Sequence, residues 1–298
     1  MTRDANRPFG RLLTAMVTPF TDDGALDLDG AARLAAHLVD EQRCDGLVVN
    51  GTTGESPTTS NEEKAALVRT VVEAVGDRAT VVAGAGSYDT RHSLEMIAEA
   101  EDAGAHGLLL VTPYYSRPPQ EMLYRHFMAL ADAANLPIML YDIPPRAARE
   151  LERDTVVRLA RHPRIVAVKD ATAKLYDAQR KRVESGLAYY NGVDDLNLAA
   201  YASGQVGAVS VIAHLVGRHL AEMFDAVDNG DLATARAISD RLLPAVWGLQ
   251  DATQGLVAVK TALAARGLPA GPPRPPLYPA DADTAAVIDA HLEEASIA

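Results

Sequence analysis

Eight short apolar runs alternating with amphipathic, alanine-rich segments predict an α/β protein, specifically a (β/α)8 TIM barrel with a C-terminal helical extension. Two further observations support that class. The first run is followed by Thr18-Pro19-Phe20 rather than the glycine-rich phosphate turn expected of an open doubly wound sheet, and the last seventy or so residues carry helical periodicity with no strand between the helices.

The runs are LLTAMVT (12–18), DGLVVN (45–50), TVVAGAG (80–86), HGLLLVT (106–112), LPIMLY (136–141), IVAVKD (165–170), LAYYNG (187–192) and GAVSVI (207–212). Each is too short for a helix and reads as a buried parallel strand. Residues 27–42 supply the first helix. Ser60 with Glu63 three residues on gives the second a capping-box start. Further helices are expected from Asp89, from Pro118, and over 152–161, 175–185, 196–202 and 215–227. Alternation of this kind demands right-handed crossovers, and eight units close naturally on themselves. Beyond Asn229-Gly230, residues 232–249, 253–266 and 283–294 read as helices, with the connector GPPRPPLYP (271–279) before the last. The expected division is a catalytic barrel over 1–230 and a helical region over 231–298.

A net charge of -12 and a pI near 5.1 leave no cationic face to release counterions from a phosphate backbone, which argues against nucleic acid as a partner. The single cysteine, Cys44, excludes an internal disulfide and reads as a small buried residue in a reducing compartment. No run of about 18 apolar residues occurs, and the N-terminus lacks an apolar stretch with a small-residue cleavage site. A cytoplasmic protein with no membrane contact is expected.

Lys169 ends the sixth run. A cation is costly in an apolar interior, so this lysine must reach solvent, pair with an acid, or lie in a pocket as a neutral amine, and a neutral amine is a nucleophile. In a barrel every strand C-terminus opens on one face, so Thr52, Thr53, Glu55, Tyr114, Tyr115, Tyr141, Arg146, Gly192 and Asp194 become its neighbours. An amine, phenols, hydroxyls and an arginine form a set for carbonyl chemistry. Taken singly, each has a plain structural use: threonines bond turn backbone, tyrosines line rims, and a loop arginine is solvated. Lys260 repeats the local pattern in LVAVK, but its apolar neighbours continue at helical spacing, so it reads as a surface lysine. The histidines are scattered and no HExxH, CxxC or GxSxG spacing occurs, so no metal or cofactor is expected.

Four ordered motifs, GTTGES (51–56), VTPYY (111–115) followed by Pro118, YDIPPR (141–146) and VKDAT (168–172), closely resemble those of the dihydrodipicolinate synthase and N-acetylneuraminate lyase family. The similarity runs from about Leu12 through the last helices. LLTAMVTPF, GLVVNGTTGESPTT, GAHGLLLVTPYYSRPPQ and SVIAHL place it nearest the family's actinobacterial synthases. The resemblance implies a homotetramer, built as a dimer of dimers, that condenses pyruvate with L-aspartate 4-semialdehyde in lysine and diaminopimelate biosynthesis. It implies Lys169 as the Schiff-base lysine and Tyr141 as the proton carrier. Thr52 stands between Tyr141 and Tyr115, and Tyr115 reaches in from a neighbouring subunit. Thr53 takes the pyruvate carboxylate and Arg146 that of the aldehyde, with Gly192 and Val209 as further substrate-binding positions.

The chain also departs from the family pattern. Gly192-Val193-Asp194-Asp195 brings an apolar residue into a usually acidic stretch, Asp142 replaces the commoner asparagine, and Pro145, Ala147 and Ala148 replace smaller or hydroxylated residues. These changes are expected at the pocket for the second substrate, which keeps open an aldolase acting on a 2-keto-3-deoxy sugar acid or a 4-hydroxy-2-oxo acid, and more distantly a non-catalytic paralogue. Asn61 and Lys64 stand where lysine-inhibited relatives often carry histidine, so feedback by lysine is expected to be weak or absent.

Overall fold

The computed structural model describes residues 6–297. Eight parallel strands form a closed barrel in sequence order: β1 (Leu12–Ala15), β2 (Gly46–Val49), β3 (Thr80–Gly84), β4 (Gly107–Val111), β5 (Ile138–Asp142), β6 (Ile165–Asp170), β7 (Ala188–Asn191) and β8 (Gly207–Ser210), the last pairing back onto β1. Around them run α1 (Leu28–Asp40), α2 (Asn61–Val75), α3 (Thr90–Asp102), α4 (Gln120–Ala133), the short α5 (Pro144–Ala147), α6 (Arg153–Leu159), α7 (Leu175–Ser185), α8 (Asn197–Ala202) and α9 (Ala213–Asp228). The tail contributes α10 (Leu232–Val246), a π-helical turn (Trp247–Asp251), α11 (Gly255–Ala265) and α12 (Ala282–Glu294). The expected capping box is present: the Ser60 hydroxyl accepts from the Glu63 N–H while the Glu63 carboxylate accepts from the Ser60 N–H. The strands are shorter than most of the apolar runs, because residues beyond the ladder turn over the rim. Thr18, for instance, spends its hydroxyl on the Gly54 carbonyl at 2.6 Å.

Side-chain alternation divides the core into two layers. The larger lies between sheet and helices, and includes Leu47, Val81, Leu110, Leu140, Ile165 and Val168. The smaller fills the barrel: Phe9, Leu13, Val48, Val82, Leu109, Met139, Tyr141, Ala167, Tyr190 and Val209. Phe9 plugs the end at which the strands begin, and Gly107 makes room for it. A Cβ there would lie 2.3 Å from the Phe9 ring.

One irregularity decides which way Lys169 points. In the β5–β6 ladder Ile138 faces Ile165 but Met139 faces Ala167, so Val166 is an extra residue. Strict alternation from the outward-facing Ile165 would also send Ala167 and Lys169 outward. The bulge reverses the parity: Ala167 and Lys169 turn into the barrel, and Val168 and Asp170 turn out.

Candidate active site

Lys169 is 5% exposed, and its Nζ lies 4.4 Å from the centroid of the Tyr141 ring. The two residues are register partners on β5 and β6, so their side chains leave the sheet at the same level. Gly192, just past β7, closes the other side: a Cβ at that position would stand 3.1 Å from Lys169 Cε and 3.1 Å from the Asp170 carbonyl oxygen. The β7–β8 ladder pairs Asn191 with Ala208, so Val209, fully buried in the inner core, continues beside Gly192.

A cleft of about 220 Å³ opens next to Tyr141. Thr52, Ser56, Tyr114, Tyr141, Ile143 and Arg146 contribute to its wall, so apolar and phenolic surface faces one guanidinium. Lys169, Thr53, Gly192 and Val209 are not part of that wall. Arg146 sits on α5, an element the sequence did not reveal, since a single turn after two prolines has no periodicity to read. The turn is closed by the Arg146 and Ala147 N–H groups donating to the Ile143 carbonyl, and Ala148 caps it at φ 54. Tyr114 packs edge-on against Tyr88 at 5.2 Å, and burial raises its phenol above the ordinary value. Tyr115, next to it, is 91% exposed at φ 66. That backbone region disfavours a bulky residue, and it throws the ring away from the cleft of its own chain.

The GTTGES turn is tightly wound. The Glu55 N–H donates to the Thr52 carbonyl at 3.2 Å, and Ser56 N–H to the Gly51 carbonyl at 3.3 Å. Glu55 itself holds φ 56, ψ 35, a left-handed conformation costing on the order of 1–2 kcal/mol for such a residue.

Two sequence expectations are corrected. Lys260 is not a surface lysine: it is buried on α11, its Nζ 2.7 Å from Glu55 Oε1, with 2% of either side chain exposed. Helical periodicity correctly assigned the element, but α11 is buried along most of its length and has no solvent face at this position. Asp142 does not reach the cleft either. Alternation on β5 turns it outward, where Oδ2 accepts from the Leu151 N–H at 3.1 Å and Oδ1 has no hydrogen-bond partner. Burial pushes its carboxyl up to about 8, against the opposing pull of Lys181 at 3.9 Å. Asp170, its register partner, is likewise raised by burial. Of the other departures, Ala147 lines the cleft, whereas Val193 lines a second hollow of about 330 Å³ with Asp194, Trp247 and Gln250. Cys44 is buried against Thr14, its thiol pushed up to about 12 by burial, and is inert. Among the described residues no group of three His, Cys, Asp or Glu is arranged to hold a metal ion, and no helix is long and apolar enough to cross a membrane.

The barrel that holds this lysine, tyrosine and arginine matches a known family along nearly the whole chain. The family model for the dihydrodipicolinate synthetase family covers residues 8–295. The chain belongs to that family. A 4-hydroxy-tetrahydrodipicolinate synthase of Streptomyces coelicolor is 60% identical over 276 residues, covering 93% of this chain and 92% of its own. Among solved structures, a lysine-bound dihydrodipicolinate synthase from Cyanidioschyzon merolae superposes with a TM-score of 0.94 at 37% identity, covering 97% of this chain and 99% of its own. A pyruvate complex of the Acinetobacter baumannii enzyme superposes at 0.93 with 32% identity, covering 97% and 100%. The match thus covers the tail as well as the strands, and in this chain the bulge on β6 is the local feature that turns Lys169 inward.

Proposed function

We propose that this protein is a Schiff-base-forming lyase that condenses pyruvate with L-aspartate 4-semialdehyde to 4-hydroxy-tetrahydrodipicolinate, in lysine and diaminopimelate biosynthesis. The observation that carries the reading is Lys169, buried inside the barrel in register with Tyr141. The names of the S. coelicolor and A. baumannii relatives support the substrates.

Lys169 attacks the ketone carbon of pyruvate and water leaves, giving a protonated imine. Its nitrogen draws electrons from the adjacent methyl group, which loses a proton to become an enamine. The enamine carbon bonds the aldehyde carbon of the second substrate. The amine of the adduct then displaces Lys169, closing the ring and freeing the enzyme. Tyr141 moves protons at the imine carbon and Thr52 links it to Tyr115 of a neighbouring subunit, a relay for which general acid–base action supplies roughly 10² to 10⁴ in rate. Thr53 and adjacent backbone N–H groups hold the pyruvate carboxylate. Arg146 holds that of the aldehyde by a forked, charge-assisted contact. Gly192 keeps the space beside Lys169 open, and Val209 forms the apolar floor.

The assembly in this reading is a cytoplasmic homotetramer, a dimer of dimers, with residues 1–230 as the catalytic barrel and 231–298 as a helical region. The outward Tyr115 supports it, because a ring 91% exposed in its own chain is placed to meet a neighbouring subunit. Borohydride with pyruvate should add mass at Lys169, and Lys169→Ala should abolish the adduct. Coupled turnover with aspartate semialdehyde decides the aldehyde. Trapping without such turnover, alongside cleavage of a 2-keto-3-deoxy sugar acid or 4-hydroxy-2-oxo acid, would move the assignment to an aldolase.

A further inference from the structure

The C-terminal region reaches the catalytic turn through one buried carboxylate. Glu55 Oε1 meets Lys260 Nζ at 2.7 Å and Oε2 accepts from the Arg274 backbone N–H at 2.8 Å. The remaining contacts of Lys260 are the Pro272 carbonyl at 3.1 Å and the face of Phe20 at 4.5 Å. The Arg274 guanidinium covers Phe20 from 4.1 Å, donates to the Gly24 and Thr58 carbonyls, and forks onto Glu63, whose carboxyl it lowers to about 2. Both ends of Glu55 are therefore held, on one side by α11 and the proline-rich connector, on the other by the turn that carries Thr52 and Thr53.

We propose that Lys260 is a positioning residue for the reaction: by fixing the Glu55 carboxylate it holds the 51–56 turn in the conformation that presents Thr52 and Thr53 to pyruvate. The inference rests on the proposed condensation. Three features carry it. Glu55 sits in a left-handed backbone conformation that costs energy for a residue with a Cβ, and its buried side chain is held by this ion pair. One hydrogen bond, Glu55 N–H to the Thr52 carbonyl, passes any rotation at Glu55 directly to the proposed relay residue. A buried ion pair also contributes little stability beyond what a packed apolar pair would, but with water excluded the two charges hold one another in place, and the Arg274 N–H fixes the second carboxylate oxygen.

The test compares the full-length protein with Lys260→Met, Lys260→Arg and Glu55→Gln in steady-state kinetics with pyruvate and aspartate semialdehyde, with competent sites counted by borohydride trapping. Lys260→Met should raise the pyruvate KM about tenfold or more while the aldehyde KM, governed by Arg146 on a different loop, stays within about twofold. Lys260→Arg, which keeps the cation, should return the pyruvate KM to within about threefold of the parent. If Lys260→Met does not fold, Glu55→Gln carries the same expectation, because it retains an acceptor for the Arg274 N–H. Unchanged KM values with fewer trapped sites would mean that the pair only supports folding, and would overturn the inference. Failure of the parent itself to trap pyruvate would instead sink the condensation reading, and this inference with it.

Discussion

Tyr141 and Lys169 are register partners on adjacent parallel strands, and the lysine amine rests over the tyrosine ring at 4.4 Å from its centroid. The contact needs only the ring, whereas the proposed proton transfer needs the hydroxyl. Tyr141→Phe separates them: the fold and the lysine position are retained while kcat falls by about 10² to 10⁴. Parent-like turnover in that variant would remove Tyr141 from the mechanism.

Gly192 is a matter of space. An alanine Cβ would stand 3.1 Å from Lys169 Cε and 3.1 Å from the Asp170 carbonyl oxygen, both closer than ordinary contact, so it presses on the flexible lysine and on the β6 backbone at once. Gly192→Ala should slow borohydride trapping of pyruvate about tenfold and lower the melting temperature by a few degrees at most. A parent-like trapping rate would show that the lysine has room to spare.

Arg146 borders the cleft without an ion-pair partner among the described residues. The proposed forked contact to a carboxylate would be worth about 1.5–3 kcal/mol, so Arg146→Ala should lower kcat/KM for the aldehyde about 10- to 100-fold and leave pyruvate trapping intact. Equal loss of both would place the arginine on pyruvate instead.

Asp142 makes stability depend on pH. Its folded carboxyl titrates near 8 and its unfolded one near the ordinary value of about 4, so between those limits the folded state holds a proton the unfolded state has released. Stability therefore falls as pH rises through that window, at up to about 1.4 kcal/mol per unit, and the raised Asp170 acts in the same direction. Asp142→Asn removes the Asp142 contribution. Lys181 keeps Glu150 at 2.9 Å and Asp177 at 2.8 Å. Thermal melts should show the variant gaining at pH 8 and little changed at pH 4; an equal shift at both would contradict burial as the cause.

Lysine feedback should be weak or absent. Asn61 is engaged by His92 at 3.0 Å and Glu99 at 3.4 Å, and Lys64 is buried with its amine on the Thr59 carbonyl. A cation at Lys64 would repel the ammonium groups of an effector lysine. Inhibition in the low millimolar range would refute this.

Strands, helices and their order were readable because each obeys a local rule: apolar runs bounded by turns, helical spacing, and a capping box at Ser60. The residues now proposed for chemistry were readable for a related reason, since a barrel gathers whatever follows its strands. Residues 165–170 and 175–185 coincide with β6 and α7 as found. The short α5, by contrast, has too few residues for a period, and α11, whose residues other than Lys260 and Thr261 are all apolar, offers no charged face against which Lys260 could have been recognised as internal.

The chain's own residues determined the barrel, the identity of the lysine and the family to which it belongs, because those depend on pattern and order along the polymer. Which way that lysine points was decided only in three dimensions. Val166 is one ordinary residue among β-formers, and its status as a bulge exists only relative to the ladder of β5, yet it is what turns Lys169 inward. The same holds for Glu55 and Lys260: they are distant in sequence and each unremarkable alone, and only the packing of the tail against the barrel excludes the water that would otherwise let them ignore one another.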